Sequence, residues 1–241
     1  MNPIVKFFYR IYQLFIGLPL FILGTATTAI VTTIGCTLGN GNFWGFWPQV
    51  IWGKFNCNLF FLPVKVEGTE KLVEGQSYVF AANHQGFFDI WLTYGYLGRH
   101  FNWLIKKELE KVPLVGYACK KAGHIFVERG RNETMRNTYD SARKILRSGV
   151  SLCVFVEGTR TKTGQLGRFK KGAFLLADDI KLPIVPITIN GSFKVFPRGL
   201  SFVNRHPLTL TVHDPIPYDA DKELQTLMDE TREAIQSALN S

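Results

Sequence analysis

The chain has 241 residues, a formal net charge of +9 and a pI near 9.4. That length allows one large domain or a domain with an appendage, and the charge favours anionic partners: phosphate-bearing small molecules, anionic lipid headgroups or nucleic acid. The four cysteines, Cys36, Cys57, Cys119 and Cys153, form no C-x-x-C and no cluster with histidine at metal-ligand spacing, which excludes a zinc centre of that kind and a disulfide framework and fits a reducing compartment.

Between Arg10 and Lys54 the sequence carries no charged residue, and as a helix the stretch from Ile11 to Leu38 exceeds the roughly 30 Å hydrocarbon core of a bilayer. A membrane segment is therefore expected. A secretory signal competes, since Lys6 and Arg10 precede the apolar run and "TATTA" supplies small residues. The run continues well past any such cleavage point, however, and the cysteines count against export. "GCTLGNGN" at 35–42 signals a turn, and "FWGFWPQVIWGKF" after it is rich in Trp, which prefers the headgroup level. Either one helix spans, or a helical hairpin dips in and returns to the same face; basic residues on both sides favour the hairpin. The chain thus divides into a membrane-anchoring helical segment, 1–61, and an α/β domain, 62–241.

Beyond Pro63, "VKVEG", "SYVFAAN", "NWLIKK", "GHIFVERG", "VSLCVFVEG", "PIVPITING" and "PLTLTVHD" are β-branched or aromatic runs of strand length. Helical periodicity separates most of them. Over 132–147, Asn132 is a candidate N-cap, and Met135, Tyr139, Ala142, Ile145 and Leu146 form one stripe. Over 221–239, Leu224, Leu227, Met228, Ile235, Ala238 and Leu239 form another. The alternation predicts an α/β fold, a largely parallel mixed sheet covered by helices.

"FAANHQGFFDI", residues 80–90, places Asn83, His84 and Asp89 in an apolar, aromatic run. In one continuous helix, side chains five residues apart are rotated by roughly 140° and do not meet. If a strand ends at Ala82 and Gly86 marks a turn, Asp89 falls in the first turn of the next helix and reaches back to the imidazole, an orienter and a base. Glu128 and Arg129 follow a second predicted strand, and Glu157, Gly158, Thr159 and Arg160 a third. In a parallel sheet these carboxyl ends share one edge, where α/β proteins hold ligands. Arg129 and Arg160 there offer guanidinium forks to a phosphate, or form ion pairs with Glu128 and Glu157. Lys106, Lys107, Lys170 and Lys171 add positive potential for a polyanion or are simply solvated. No G-x-S-x-G elbow and no cysteine–histidine signature points to a covalent nucleophile. No basic run or nucleic-acid motif accompanies the charge, so no nucleic-acid partner is expected.

Four blocks in order, "NHQGFFD", "GHIFVER", "FVEGTR" and "LPIVPITI", resemble those of the 1-acylglycerol-3-phosphate acyltransferases, the H-x4-D glycerolipid acyltransferases. The resemblance implies His84 as general base and Asp89 as its orienter, and it associates Arg129, Glu157, Gly158, Thr159 and Arg160 with the acceptor's glycerol phosphate; Lys106 is a further substrate-binding candidate through its positive potential. It implies transfer of an acyl group from acyl-CoA or acyl-carrier protein to lysophosphatidic acid, on the cytoplasmic face of the cell's inner membrane, with membrane lipids as further partners and with no metal or resident cofactor. Glu128 stands where the family usually has Asp, and Val156 where it has Pro. These departures leave room for a related acceptor such as glycerol 3-phosphate, a lyso-ornithine lipid or another lysophospholipid. The competing class is a lipid-binding module without catalysis, against which the intact His84 and Asp89 pair counts. Pro183 and Pro186 of the last block are read as framework.

Overall fold

The computed structural model of the chain describes residues 2–127, 132–147, 149–197 and 202–239, with the side chains of 132–138 and 147 outside the description. Helix α1 (Pro3–Tyr12) runs through one π turn, 13–17, into α2 (Leu18–Leu38). The result is one apolar helix of 36 residues, about 54 Å long at 1.5 Å per residue and so long enough to cross a membrane. At the π turn Gln13 is buried, and its amide donates to Val203 O (2.8 Å) and accepts from Val203 N (2.7 Å). A polar side chain inside an otherwise greasy helix is thereby satisfied and ties it to the body of the protein.

After the short α3 (Gly41–Trp44), capped by Asn40, the chain returns as α4 (Trp47–Leu59). Tyr9 and Tyr12 donate to the carbonyls of Phe60 and Leu59, and Trp52 Nε1 donates to Thr25 Oγ1. The two arms are therefore an antiparallel hairpin. The return arm crosses α5 (Phe88–Tyr96) where Gly53 meets Gly95: a Cβ on Gly53 would stand 2.5 Å from Trp91 O, closer than any side chain tolerates. Most large apolar side chains of the long arm, among them Phe7, Phe8, Phe15 and Leu23, stay exposed.

All seven predicted runs are strands: β1 (Val64–Glu67), β2 (Val79–Ala82), β3 (Phe101–Lys106), β4 (Ile125–Val127), β5 (Ser151–Phe155), β6 (Ile184–Asn190) and β7 (Leu208–Val212). They form one sheet in the order β1-β7-β6-β2-β5-β3-β4. The five strands from β6 to β4 run parallel, whereas β7 pairs antiparallel with β6 and carries β1 in its own direction. The central strands β2 and β6 are buried at every residue, while β7 alternates and the edge strand β1 is partly exposed. That gradient is the expected one, since central parallel strands are covered on both faces. Both prolines serve this framework: Pro183 O accepts from Val79 N, and Pro186 O accepts from His213 N.

On one face Phe80, Ala82, Cys153, Ile187 and Ile189 pack with α4 and α5. On the other, Val79, Ala81, Leu152 and Ile184 pack with side chains of α7 (Asn132–Arg147), α8 (Gly172–Ile180) and α10 (Leu224–Ser237). The stripes read from Tyr139, Ala142, Ile145, Leu146, Leu224, Leu227, Met228 and Ile235 face this second core. The helix expected over 221–239 starts at Leu224 because Glu223 is extended. Truncating a fully buried ring such as Phe80 would cost about 3–5 kcal/mol, so each face contributes heavily to stability.

Candidate active site

β2 lies between β5 and β6, so the segments leaving the carboxyl ends of these three strands meet. Directly after β2, Asn83 Nδ2 donates to Ile189 O (3.0 Å) and its Oδ1 accepts from Ile189 N (2.7 Å). One buried amide so replaces a backbone rung where the chain turns away from β6. His84 is next. Its N–H donates to Glu157 Oε1 (2.9 Å), and its carbonyl accepts from Thr161 N (2.8 Å). The backbone of the imidazole-bearing residue is thus clamped by the turn that leaves β5.

The His84 ring lies parallel to Phe155, with centroids 3.8 Å apart, and Phe155 in turn stacks on Trp103. Its Nδ1 is 2.7 Å from Asp89 Oδ2, the separation of a charge-assisted hydrogen bond. The same oxygen accepts from Gln85 N (2.7 Å) and Gly86 N (2.9 Å). An oxygen that accepts from two amides has only acceptor capacity to offer the ring, so Nδ1 carries the proton and Nε2 holds the lone pair. Asp89 is fully buried, the His84 side chain is 15% exposed, and no described residue hydrogen-bonds to Nε2. The arrangement therefore leaves one basic nitrogen open at the sheet edge.

The intervening turn requires glycine at 86, since a Cβ there would stand 2.4 Å from Ser192 Oγ and 2.7 Å from Ser192 O, where α9 (Ser192–Val195) begins.

Glu157 is buried, and its two oxygens accept from His84 N and Gly167 N (2.7 Å). Burial raises its pKa above the ordinary carboxylate value, and the two amide donors oppose that shift. Among the described residues no ion pair joins it to Arg160, so the pairing of Arg160 with Glu157 does not form. Instead Glu157 fastens the loop through Gly167 to the His84 turn. Gly158, at φ +68°, turns the chain; Thr159 is exposed and Arg160 half-buried. Lys106 ends β3 on this edge with its side chain exposed. Glu128 and Arg129 lie outside the described residues. Sequence reasoning missed Phe155, Thr161 and Gly167. Only Phe155 left a signal: it sits two residues beyond Cys153, on the face of the sheet that carries Phe80 and Ala82.

The profile of the family described as Acyltransferase matches residues 63–190. The chloroplastic 1-acyl-sn-glycerol-3-phosphate acyltransferase of Brassica napus is 31% identical over 192 residues, 79% of this chain and 54% of that protein. The chain belongs to the acyltransferase family. The Saccharomyces cerevisiae 1-acyl-sn-glycerol-3-phosphate acyltransferase is 30% identical and spans 90% of this acyltransferase and 72% of its own length. The crystal structure of the 1-acyl-sn-glycerophosphate (LPA) acyltransferase PlsC from Thermotoga maritima shares the fold, with a TM-score of 0.80 at 24% identity, over 99% of this chain and 96% of that one. The chain spans about half the length of the plant and algal relatives it matches.

Proposed function

We propose that this acyltransferase moves a fatty acyl group from a coenzyme A or acyl-carrier-protein thioester to the sn-2 hydroxyl of lysophosphatidic acid, giving phosphatidic acid at the cytoplasmic face of the inner membrane. The observation that carries the reading is the 2.7 Å contact between His84 Nδ1 and the buried Asp89 at the carboxyl edge of the parallel strands. The names of the relatives, 1-acyl-sn-glycerol-3-phosphate acyltransferases, support the choice of acceptor, and the exposed apolar hairpin supports a lipid surface as the place of work.

In this scheme the acceptor hydroxyl gives its proton to His84 Nε2 as its oxygen bonds to the thioester carbonyl carbon. Asp89 stabilises the imidazolium that results. Collapse of the tetrahedral intermediate breaks the C–S bond, and the imidazolium returns the proton to the departing thiolate. The products are an ester and a free thiol, formed in one ternary complex without a metal or resident cofactor. Lys106, Arg129 and Arg160 anchor the acceptor phosphate, where forked guanidinium groups match its geometry. Gly158 and Thr159 line the approach, and Glu157 holds the turn in place.

The test offers the purified chain lysophosphatidic acid, glycerol 3-phosphate and lyso-ornithine lipid in parallel, with acyl-CoA or acyl-carrier protein as donor and products read by mass spectrometry. Phosphatidic acid from lysophosphatidic acid is the expected product. Acylation of another acceptor alone would overturn the substrate assignment.

A further inference from the structure

Between β3 and β4 the chain makes a 3-10 turn, Lys107–Lys111, and the helix α6 (Val115–Lys121). Four large apolar side chains lie exposed there: Leu109 at 44%, Val112 at 40%, and Leu114 and Tyr117 each at 55%. Neither hydrophobic core includes them. Leu114, moreover, holds φ at +60°, a conformation that a branched aliphatic residue adopts only under constraint. Around these side chains stand Lys106, Lys107, Lys111, Lys120 and Lys121 against only Glu108 and Glu110. Glu110 pairs with Lys107 and, at 3.8 Å, with Lys120, which leaves Lys106, Lys111 and Lys121 without an ion pair among the described residues. An apolar patch with a basic rim matches an anionic lipid surface, headgroups outside and acyl chains within.

Its position gives a second argument. Helix α6 packs against α2, and Ala122, which follows α6, lies against Gly45 at the turn of the hairpin, so the patch adjoins the end of the hairpin at which Ile34 and Leu38 are exposed. The segment also starts at the carboxyl end of β3, on the edge that carries His84. The patch therefore links the apolar hairpin to the site.

We propose that residues 107–121 are a second membrane contact, with Leu109, Val112, Leu114 and Tyr117 entering the headgroup boundary of an anionic bilayer while Lys111 and Lys121 lie among its phosphates. This rests on the reading that the hairpin lies in a membrane. The second contact stops the body from rolling about the hairpin axis and keeps the His84 turn facing the lipid. Continuity with the hairpin favours a bilayer over an acidic protein.

The test is flotation of the full chain with phosphatidylcholine vesicles, with and without phosphatidylglycerol, for wild type, Leu114→Asn/Tyr117→Ser and Lys111→Gln/Lys121→Gln. The lysine variant is expected to bind anionic vesicles roughly 10- to 30-fold more weakly at low salt and neutral vesicles as before. The apolar variant is expected to lose about tenfold or more on both. Both should keep wild-type turnover on a short-chain acceptor dissolved as monomers and lose it on vesicle-borne acceptor. A wild type that floats while both variants float equally well overturns the second contact alone. If wild type does not float at all, the hairpin reading falls and this one with it. Loss of carrier-protein thioester use with vesicle affinity intact would make the patch a protein-docking surface and overturn the proposal. The flotation readout needs no catalysis, so failure to form phosphatidic acid remains a separate result.

Discussion

Two histidines of this chain sit at the same sheet and have opposite fates. His84 has one nitrogen on Asp89 and its other nitrogen unclaimed by any described residue. His124, just before β4, is 7% exposed, with Tyr94 Oη 2.6 Å from Nε2 and Trp103 N–H donating to Nδ1 at 3.3 Å. Burial pushes its pKa down to about 4, so it stays neutral at physiological pH. Both lie in short motifs among apolar residues, yet only His84 keeps a ring nitrogen that no described residue claims. In the proposed mechanism an imidazole becomes a base through an orienting acid on one side and access on the other, whereas burial by itself keeps it neutral.

The sharpest way to break that contrast is His84→Ala, expected to lower turnover about 10²- to 10⁴-fold, the usual scale for a positioned general base. Steady-state kinetics with a soluble acceptor would show it, and wild-type turnover would end the mechanism. Arg160→Ala comes next. Losing a hydrogen bond to a charged group, about 1.5–3 kcal/mol, should raise the acceptor KM by roughly 10- to 100-fold, and unchanged KM and turnover together would remove Arg160 from the site.

Glu157→Gln should lower unfolding free energy by about 1–3 kcal/mol, because one of the two buried amide donors then faces an NH2 group instead of an oxygen. Its pH signature has a definite sign. Since burial raises the Glu157 pKa, its contribution is complete below the ordinary value near about 4.3 and is lost as pH rises through the raised value. Denaturation across acidic pH should show that slope in wild type and a flatter profile in the variant. The smallest effect on turnover belongs to His124→Gln, whose consequence is a pH slope in stability. With the folded pKa near 4, stability is complete above the unfolded value of about 6.5 and falls with acidification between the two, by up to about 1.4 kcal/mol per pH unit. The variant should lose that slope while keeping near-normal turnover per folded molecule at neutral pH. A turnover collapse would place His124 in the chemistry and dissolve the comparison.

Much of the site was legible because its cues are local. A strand ending at Ala82, a glycine at 86 and an acid five residues after His84 define a turn and a reach that depend only on a short stretch of chain. Glu157 was found but its duty was not, since the amides that claim it belong to His84 and Gly167 and are brought together only by folding.

The sequence by itself determined the seven strands, the amphipathic stripes of α7 and α10, the apolar character of the amino-terminal segment and the pairing of His84 with Asp89. All of these follow from periodicity or spacing within a few residues. The tertiary structure alone decided that β7 and β1 run against the other strands, that α4 crosses α5 at Gly53 and Gly95, and that Phe155 supports the imidazole. Strand direction, helix crossing and ring stacking are contacts between segments far apart in the chain. Their energies depend on which surfaces meet, and no local pattern of residues records that.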